Sequence, residues 1–157
     1  MAMDAPLAER LQAALGIEVG LSHGMPVLQL AAAQVFDAAR TLRERFGFDM
    51  LLDLTAVDWL GQDPRFEVVW HFFATATQTR VRIKTRVPES HPEVESLVPL
   101  YGSAAFMERE CHEMFGVRFR GNADLRPILL YEGFVGHPLR KDYPKDREQP
   151  LIPYRNA

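Results

Sequence analysis

The sequence of 157 residues contains only one cysteine, Cys111. A single thiol cannot form an internal disulfide or a tetrathiolate zinc site, and an iron–sulfur cluster usually takes four cysteine ligands. The glycine-rich motifs G-x-x-x-x-G-K and G-x-G-x-x-G, which surround phosphates with backbone N–H groups, are also missing. The chain alone is therefore not predicted to hold a redox cluster or a nucleotide.

Long apolar runs are missing as well. No stretch approaches the roughly 18 to 20 residues that a membrane helix needs. The first ten residues include Asp4 and Glu9 instead of a basic segment followed by an apolar one, which is the pattern of a secretory signal. We therefore expect a soluble chain that is not exported.

The composition that is present, 47% hydrophobic and 25% charged, is typical of one soluble globular domain. Charge is distributed unevenly around the net value of −3: residues 1–116 carry 10 basic and 16 acidic side chains, whereas residues 117–157 carry 8 and 5. The sequence thus predicts a globular domain over 1–116 and a chain segment of different character over 117–157.

Apolar periodicity predicts an α+β domain. Helical spacing of apolar residues, each time followed by a glycine stop, predicts helices over 5–15, 35–46 and 104–115. Strands are predicted over 25–30, 50–57, 66–74 and 79–87, and the short links between the last three favour antiparallel neighbours. A further short helix, with Pro92 at its first position, is predicted to carry Val94, Leu97 and Val98. The fold predicted is a small, mostly antiparallel sheet covered by helices.

The segment 117–157 combines five prolines and three glycines with large apolar side chains such as Ile128, Tyr131 and Phe134. Prolines exclude a long helix or a central strand, and a disordered tail would lack the aromatic residues. This segment is therefore predicted to be an extended arm that buries its side chains against a partner and docks there.

The run from Glu108 to Glu113 contains every residue type that a metal or acid–base site could use. On a helix Glu108 and His112 share a face, but Cys111 and Glu113 point away from that pair, and a catalytic zinc usually takes three protein ligands. We place Met107, Cys111, Met114 and Phe115 on the apolar face and Glu108, Arg109, His112 and Glu113 largely outside it. A salt-bridged surface or a partner contact is favoured over a metal, and a buried structural Cys111 over a nucleophile.

Four cations alternate along the strand 79–87 and face away from its apolar side: Arg80, Arg82, Lys84 and Arg86. Such a face can dock an acidic partner, or it can be solvated or ion-paired. A phosphate backbone is less favoured, because no aromatic residues are interleaved on that face.

Three stretches carry a resemblance to a known family: Glu108–Glu110 through Met114–Val117, then Gly121–Leu130, and above all G-H-P-L-R-K-D-Y-P at 136–144. The chain resembles the C subunit of proton-translocating NADH-quinone oxidoreductase, respiratory complex I, whose mitochondrial counterpart is the thirty-kilodalton subunit. It departs from the usual family pattern at Phe106, Glu113, Asn122-Ala123 and Pro127.

The resemblance implies a scaffold subunit of the hydrophilic peripheral arm that packs on the D subunit, at the quinone site, and supports electron transfer from NADH to quinone. Flavin and iron–sulfur clusters would lie in partner subunits and none in this chain. The complex would place the chain peripherally on the cytoplasmic face of the bacterial inner membrane. No catalytic residue is predicted. The predicted partner-binding residues are Glu108, Arg109, Glu110, Asp124, Arg126, His137, Arg140, Lys141, Asp142 and Tyr143.

Two other interpretations stay open on the sequence. One is the homologous module of a membrane-bound, energy-converting nickel–iron hydrogenase, and the other is a free-standing protein-binding module. Co-purification with flavin, clusters and membrane subunits would separate a member of a complex from an independent module.

Overall fold

The computed structural model describes residues 6–146. Three helices and seven strands follow one another along the chain, with a short 3-10 turn at Ala32–Gln34. In chain order they are α1 (Leu7–Leu15), β1 (Val19–Ser22), β2 (Met25–Leu30), α2 (Val35–Phe46), β3 (Met50–Asp58), β4 (Phe66–Ala74), β5 (Thr79–Val87), β6 (Glu93–Glu95), α3 (Ala104–Phe115) and β7 (Arg118–Arg120).

Five strands form the main sheet in the order β1-β2-β5-β4-β3. All neighbours are antiparallel except β2 and β5, which run parallel. The short links of the β3-β4-β5 meander force antiparallel pairing, whereas β2 reaches β5 only after the chain has passed through α2, β3 and β4. The predicted α+β class with a mostly antiparallel sheet is confirmed, and β5 is the middle strand of the five.

The core lies on one face of this sheet. Alternate side chains of β4 and β5, among them Trp70, Phe72 and Ile83, are fully buried. They form one apolar cluster with Leu42 of α2 and Cys111 of α3. Since burying a large apolar side chain stabilises the fold by about 1.5–3 kcal/mol, this face supplies most of the driving force for folding. The opposite face carries the cations of β5.

The predicted short helix after Pro92 is wrong. The segment forms β6, whose Glu93 pairs with Arg118 of β7 in a parallel two-stranded sheet. The backbone N–H of Arg118 also donates to the carbonyl of Pro92, at 2.7 Å. A few apolar residues cannot define a helix period, and pairing with a distant segment decided the conformation here.

The predicted arm begins inside the folded domain, because Val117 and Phe119 are buried in the core. Residues 121–146 then pass over the C-terminal end of α3 and the β3–β4 hairpin. The division of the chain at residue 116 stays a prediction, and residues 147–157 of the arm lie outside the described residues. Between residues 6 and 146, no helix has the length and apolarity required to cross a membrane.

Candidate partner-docking site

The C-terminal segment 121–146 supplies hydrogen-bond donors to the last turn of α3. A helix end leaves its final carbonyl groups without intrahelical partners. Here three donors from the segment satisfy three successive carbonyl groups: His137 Nδ1 to Glu113 O at 2.9 Å, Leu139 N to Met114 O at 3.2 Å and Arg140 Nε to Phe115 O at 2.6 Å. The motif at 136–144 therefore acts as a cap on α3.

Gly116 makes this close approach possible. It has φ +80° and ends α3 in the left-handed conformation. A Cβ atom built there would lie 2.7 Å from His137 Nε2 and closer still to Arg140 Nη2. Only glycine satisfies both the backbone conformation and the contact with the segment.

We expect Gly116→Ala to lower the free energy of unfolding more than Gly47→Ala does. Gly47 ends α2 with φ +71°, and a Cβ atom added to it would have nothing within 4 Å. The cost of a left-handed backbone, about 1–2 kcal/mol, is therefore common to both variants. Displacing two hydrogen-bonded side chains should cost Gly116→Ala about 1–3 kcal/mol more. Urea unfolding of both variants measures the difference, and equal losses would show that the segment contributes nothing there.

Glu113 holds the next part of the segment. Its carboxylate is buried and accepts the backbone N–H groups of Ile128, Leu129 and Leu130, at 3.2, 3.0 and 2.8 Å. Its predicted position outside the buried face of α3 is wrong. A buried carboxylate is stable when donors surround it, and these donors come from a segment that periodicity within the helix cannot reveal.

Glu108 is completely buried, again against the prediction that it lies outside the buried face. Its oxygens accept from Leu97 N at 2.7 Å, Ser96 Oγ at 2.8 Å and Asn122 Nδ2 at 2.9 Å. Burial raises the pKa of Glu108, and the three hydrogen bonds oppose that rise. The side chain joins α3 to the β6 region and to the start of the C-terminal segment, and it does not reach the surface.

Four other predicted residues gather on the flank of α3. Arg109 donates to the carbonyl groups of Arg126 and Pro127, both at 2.9 Å, and its Nη1 lies 3.9 Å from Asp124. Asp124 and Arg126 form a bidentate pair at 2.8 Å, which lowers the pKa of Asp124. Glu110 is exposed beside them.

A buried arginine that sequence reasoning did not single out binds the end of the segment. Arg65 is 3% exposed and forks onto Asp58 with two bonds of 2.8 Å. It also contacts Glu89 at 2.5 Å and Asp142 at 2.8 Å. Hydrogen bonds from Arg65 lower the pKa of both Asp58 and Asp142. Opposite charges at the two ends of the loop between β3 and β4 were the signal that could have identified this cluster.

Three of the remaining predicted residues, Arg140, Lys141 and Asp142, lie near this arginine. The backbone N–H of Lys141 donates to Asp58 Oδ2 at 2.8 Å, and the Arg140 guanidinium lies 4.9 Å from the centroid of the Phe66 ring. Burial and the nearby Arg65 lower the pKa of Arg140. Tyr143 stacks on Phe134 with ring centroids 6.1 Å apart. The structure thus brings His137, Arg140, Lys141 and Asp142 together, on the chain's own hairpin and helix end.

Four large apolar side chains of the segment are exposed. Leu129, Val135 and Leu139 are each more than half exposed, and Ile128 is exposed as well. We call these four residues the arm ridge. Exposed apolar side chains that are grouped in one segment often mark an interaction site, so the ridge is a candidate docking surface.

The structure bears on the thiol and the metal site that the sequence of α3 brought into question. Cys111 is buried, as predicted, and burial raises the pKa of its thiol well above the usual range, which disfavours a nucleophilic thiolate. Among residues 6–146, no three or more His, Cys, Asp and Glu side chains form a group that could hold a metal ion.

Comparison with known proteins identifies the family. Residues 28–149 match the family described as respiratory-chain NADH dehydrogenase, 30 Kd subunit. The chain is 39% identical over 129 residues to the C subunit of NADH-quinone oxidoreductase from Citrifermentans bemidjiense, with 80% of both chains covered. It is 40% identical over 155 residues to the same protein of a Roseiflexus species, with 95% of this chain and 89% of the relative covered.

Two solved structures share the fold. A trypsin-resistant fragment of Nqo5 (1–134) superposes with a TM-score of 0.65 at 28% identity and covers 74% of this chain and 95% of that one. The archaeal membrane-bound sulfane sulfur reductase superposes with a TM-score of 0.78 at 24% identity, covering 87% and 83%. From the family match and the curated relatives together, the chain belongs to the 30-kDa subunit family of respiratory-chain NADH dehydrogenase, which includes the C subunits of bacterial NADH-quinone oxidoreductases.

Proposed function

We propose that this chain is a non-redox scaffold subunit in the hydrophilic peripheral arm of an ion-translocating NADH-quinone oxidoreductase. It packs on the D subunit and supports electron transfer from NADH to quinone, while flavin and iron–sulfur clusters lie in partner subunits. Through the complex it is peripheral on the cytoplasmic face of the bacterial inner membrane. The observation that carries this proposal is the arm ridge, an apolar surface on a segment that the chain itself holds in place.

The inner contacts of the segment prepare the ridge for docking. Glu113 fixes the backbone at 128–130, and the carbonyl of Met114 fixes Leu139. Because these residues are ordered before a partner arrives, association costs less conformational entropy than it would with a flexible tail. This arrangement favours a permanent contact between subunits.

Polar groups flank the ridge in the pattern of an interface between subunits. Interfaces have an apolar centre and a polar rim. Here the exposed side chains of Arg126 and Lys141 and the half-exposed Asp142 lie in the same segment as the ridge. The predicted partner-binding residues that reach the surface therefore contribute to a rim, whereas Glu108 supports the segment from inside.

The test places charge on the ridge. We expect the double variant Leu129→Asp, Leu139→Asp to keep the thermal unfolding midpoint of the isolated chain, since both side chains are exposed. Desolvating two carboxylates at an apolar interface should reduce the assembled complex by more than about tenfold. The measurement is the amount of chain that co-purifies with a tagged D subunit, together with flavin content.

Met50→Asp is the control for a single added carboxylate outside the segment, because Met50 is comparably exposed and lies on β3. Normal assembly of the ridge variant would contradict docking through the ridge. Full assembly with loss of quinone reduction would point to a direct role of the segment in the reaction.

The same purification decides the alternatives. A module of an energy-converting hydrogenase would co-purify with a nickel–iron subunit and no NADH-oxidising flavin subunit, and a free-standing module with neither. The likeness to the sulfane sulfur reductase shows a shared fold. The names of the curated relatives favour the NADH-quinone oxidoreductase.

A further inference from the structure

A second surface lies at one end of the main sheet. A hollow of about 600 Å³ opens there between the start of α1, the β1–β2 turn and the β4–β5 turn. We call it the Arg80 hollow. Its lining includes Leu7, Leu21, Met25, Gln78, Arg80 and Arg82, and no Asp or Glu side chain of the described residues belongs to that lining.

The two arginines remain without an acidic partner. Arg80 is exposed, with its guanidinium 5.9 Å from the centroid of the Phe73 ring, and Arg82 Nε donates to His71 Nε2 at 2.7 Å. Within residues 6–146 neither forms an ion pair. Lys84 of the same row pairs with Glu67 at 3.1 Å, and Arg86 donates to the carbonyl of Pro64. Within residues 6–146 only Lys84 of the row is ion-paired, and two of the three cations without an acidic partner, Arg80 and Arg82, line the hollow.

The hydrogen bond to His71 orients Arg82. Asp53 Oδ2 lies 3.5 Å from the other ring nitrogen of His71, so that Asp53, His71 and Arg82 form one row across β3, β4 and β5. Only the Nε–H of Arg82 is used in this row. Its Nη groups form no hydrogen bond with the described residues and are available to a carboxylate.

Apolar side chains also line the hollow. Leu21 is 70% exposed, the largest exposed fraction among the large apolar side chains of the described residues. Met25 and Leu7 lie next to it in the lining and are half-buried. A ligand that fills this hollow therefore contacts apolar side chains as well as the two arginines.

We propose that the Arg80 hollow binds a segment of another subunit of the complex in which carboxylate side chains flank an apolar one. This inference rests on the proposed function, because it takes the partner from the assembled complex. The carboxylates bind Arg80 and Arg82, and the apolar side chain covers Leu21. The recessed shape and the shared apolar and cationic lining favour a protein segment over a flat anionic membrane surface.

The bound segment of the partner subunit continues along β1. A second hollow of about 460 Å³ shares Leu21, Ser22 and Arg82 with the first and extends to Glu18 and Lys84. The charged residues that line the first hollow are all cationic, whereas the second contains both signs of charge. The bound segment is therefore acidic at the end near Arg80 and of mixed charge near Glu18.

The experiment introduces the photo-crosslinking residue p-benzoylphenylalanine at Leu21 in the full chain, within the complex purified through a tag on the D subunit. We expect irradiation to join position 21 to one other subunit, at a segment with at least about two Asp or Glu residues beside an apolar one. Arg80→Glu with Arg82→Glu should reduce the crosslink by about tenfold or more, because like charges repel. Arg80→Lys with Arg82→Lys should retain it within about threefold.

Arg45→Glu on α2 is the charge-reversal control and should leave the crosslink unchanged, since Arg45 is exposed and outside the hollow. A crosslink to lipid, to a basic segment or to this chain's own residues would overturn the inference, as would no crosslink at all. In these cases the chain still co-purifies and the scaffold proposal stands. Failure to co-purify would overturn both.

Discussion

An Arg65→Met variant is expected to lose about 3–5 kcal/mol of its free energy of unfolding, because the change leaves the buried carboxylate of Asp58 without its cation. Asp58 and Arg65 are each 3% exposed, so water cannot replace the lost bonds. The variant also loses the contacts of Arg65 to Glu89 and Asp142. Urea unfolding monitored by tryptophan fluorescence measures the loss.

Two further variants separate this effect from a general loss of charge. Arg126→Met removes a cation of the same type whose side chain is 82% exposed, and the unfolding midpoint should not change. Adding Asp58→Asn to Arg65→Met should recover part of the loss, since the uncompensated charge disappears. A loss for Arg65→Met no larger than that for Arg126→Met would show that the buried pair is not stabilising.

The same variant should loosen the C-terminal segment. Asp142 binds Arg65, and the backbone of Lys141 binds the Asp58 carboxylate that Arg65 holds. Trypsin should therefore cleave after Arg140 or Lys141 faster in Arg65→Met than in the native chain under native conditions. Unchanged cleavage would mean that the contacts at the end of α3 suffice to hold the segment.

A Glu108→Leu variant is expected to lose about 2–4 kcal/mol, because the buried N–H of Leu97 and the side chains of Ser96 and Asn122 lose their common acceptor. Glu110→Leu, on the exposed face of the same helix, should change stability by less than about 0.5 kcal/mol. Chemical unfolding of both variants makes the comparison. Equal effects would contradict a structural role for the buried carboxylate.

Glu108→Gln tests the ionisation of this group. Since burial raises the pKa of Glu108, the folded state binds a proton more readily than the unfolded state does, and stability falls as pH rises from the ordinary glutamate pKa through the raised value. The glutamine variant should lack this part of the pH dependence while keeping one acceptor oxygen. A pH profile identical to that of the native chain would show that Glu108 does not titrate in this range.

The elements that the sequence determined by itself are those with a sustained apolar period. Val35, Ala39 and Leu42 predicted α2, and all three are fully buried. The alternation of Val81 and Ile83 with cations predicted both faces of β5. The unusual motif at 136–144 indicated the family, because a long run of specific residues identifies relatives whatever contacts those residues make.

Tertiary structure decided where the charged residues lie. Glu108, Glu113 and Arg65 are buried because donors or acceptors reach them from segments 7 to 77 positions away in the chain. Helical or strand periodicity assumes that charge faces water, and it fails when a distant backbone satisfies that charge. The pairing of β6 with β7 depended likewise on a partner strand that local propensity does not encode. Sequence determined which residues can form helices and strands. Only packing between distant segments decided which charged side chains are buried and which cations stay exposed to a partner.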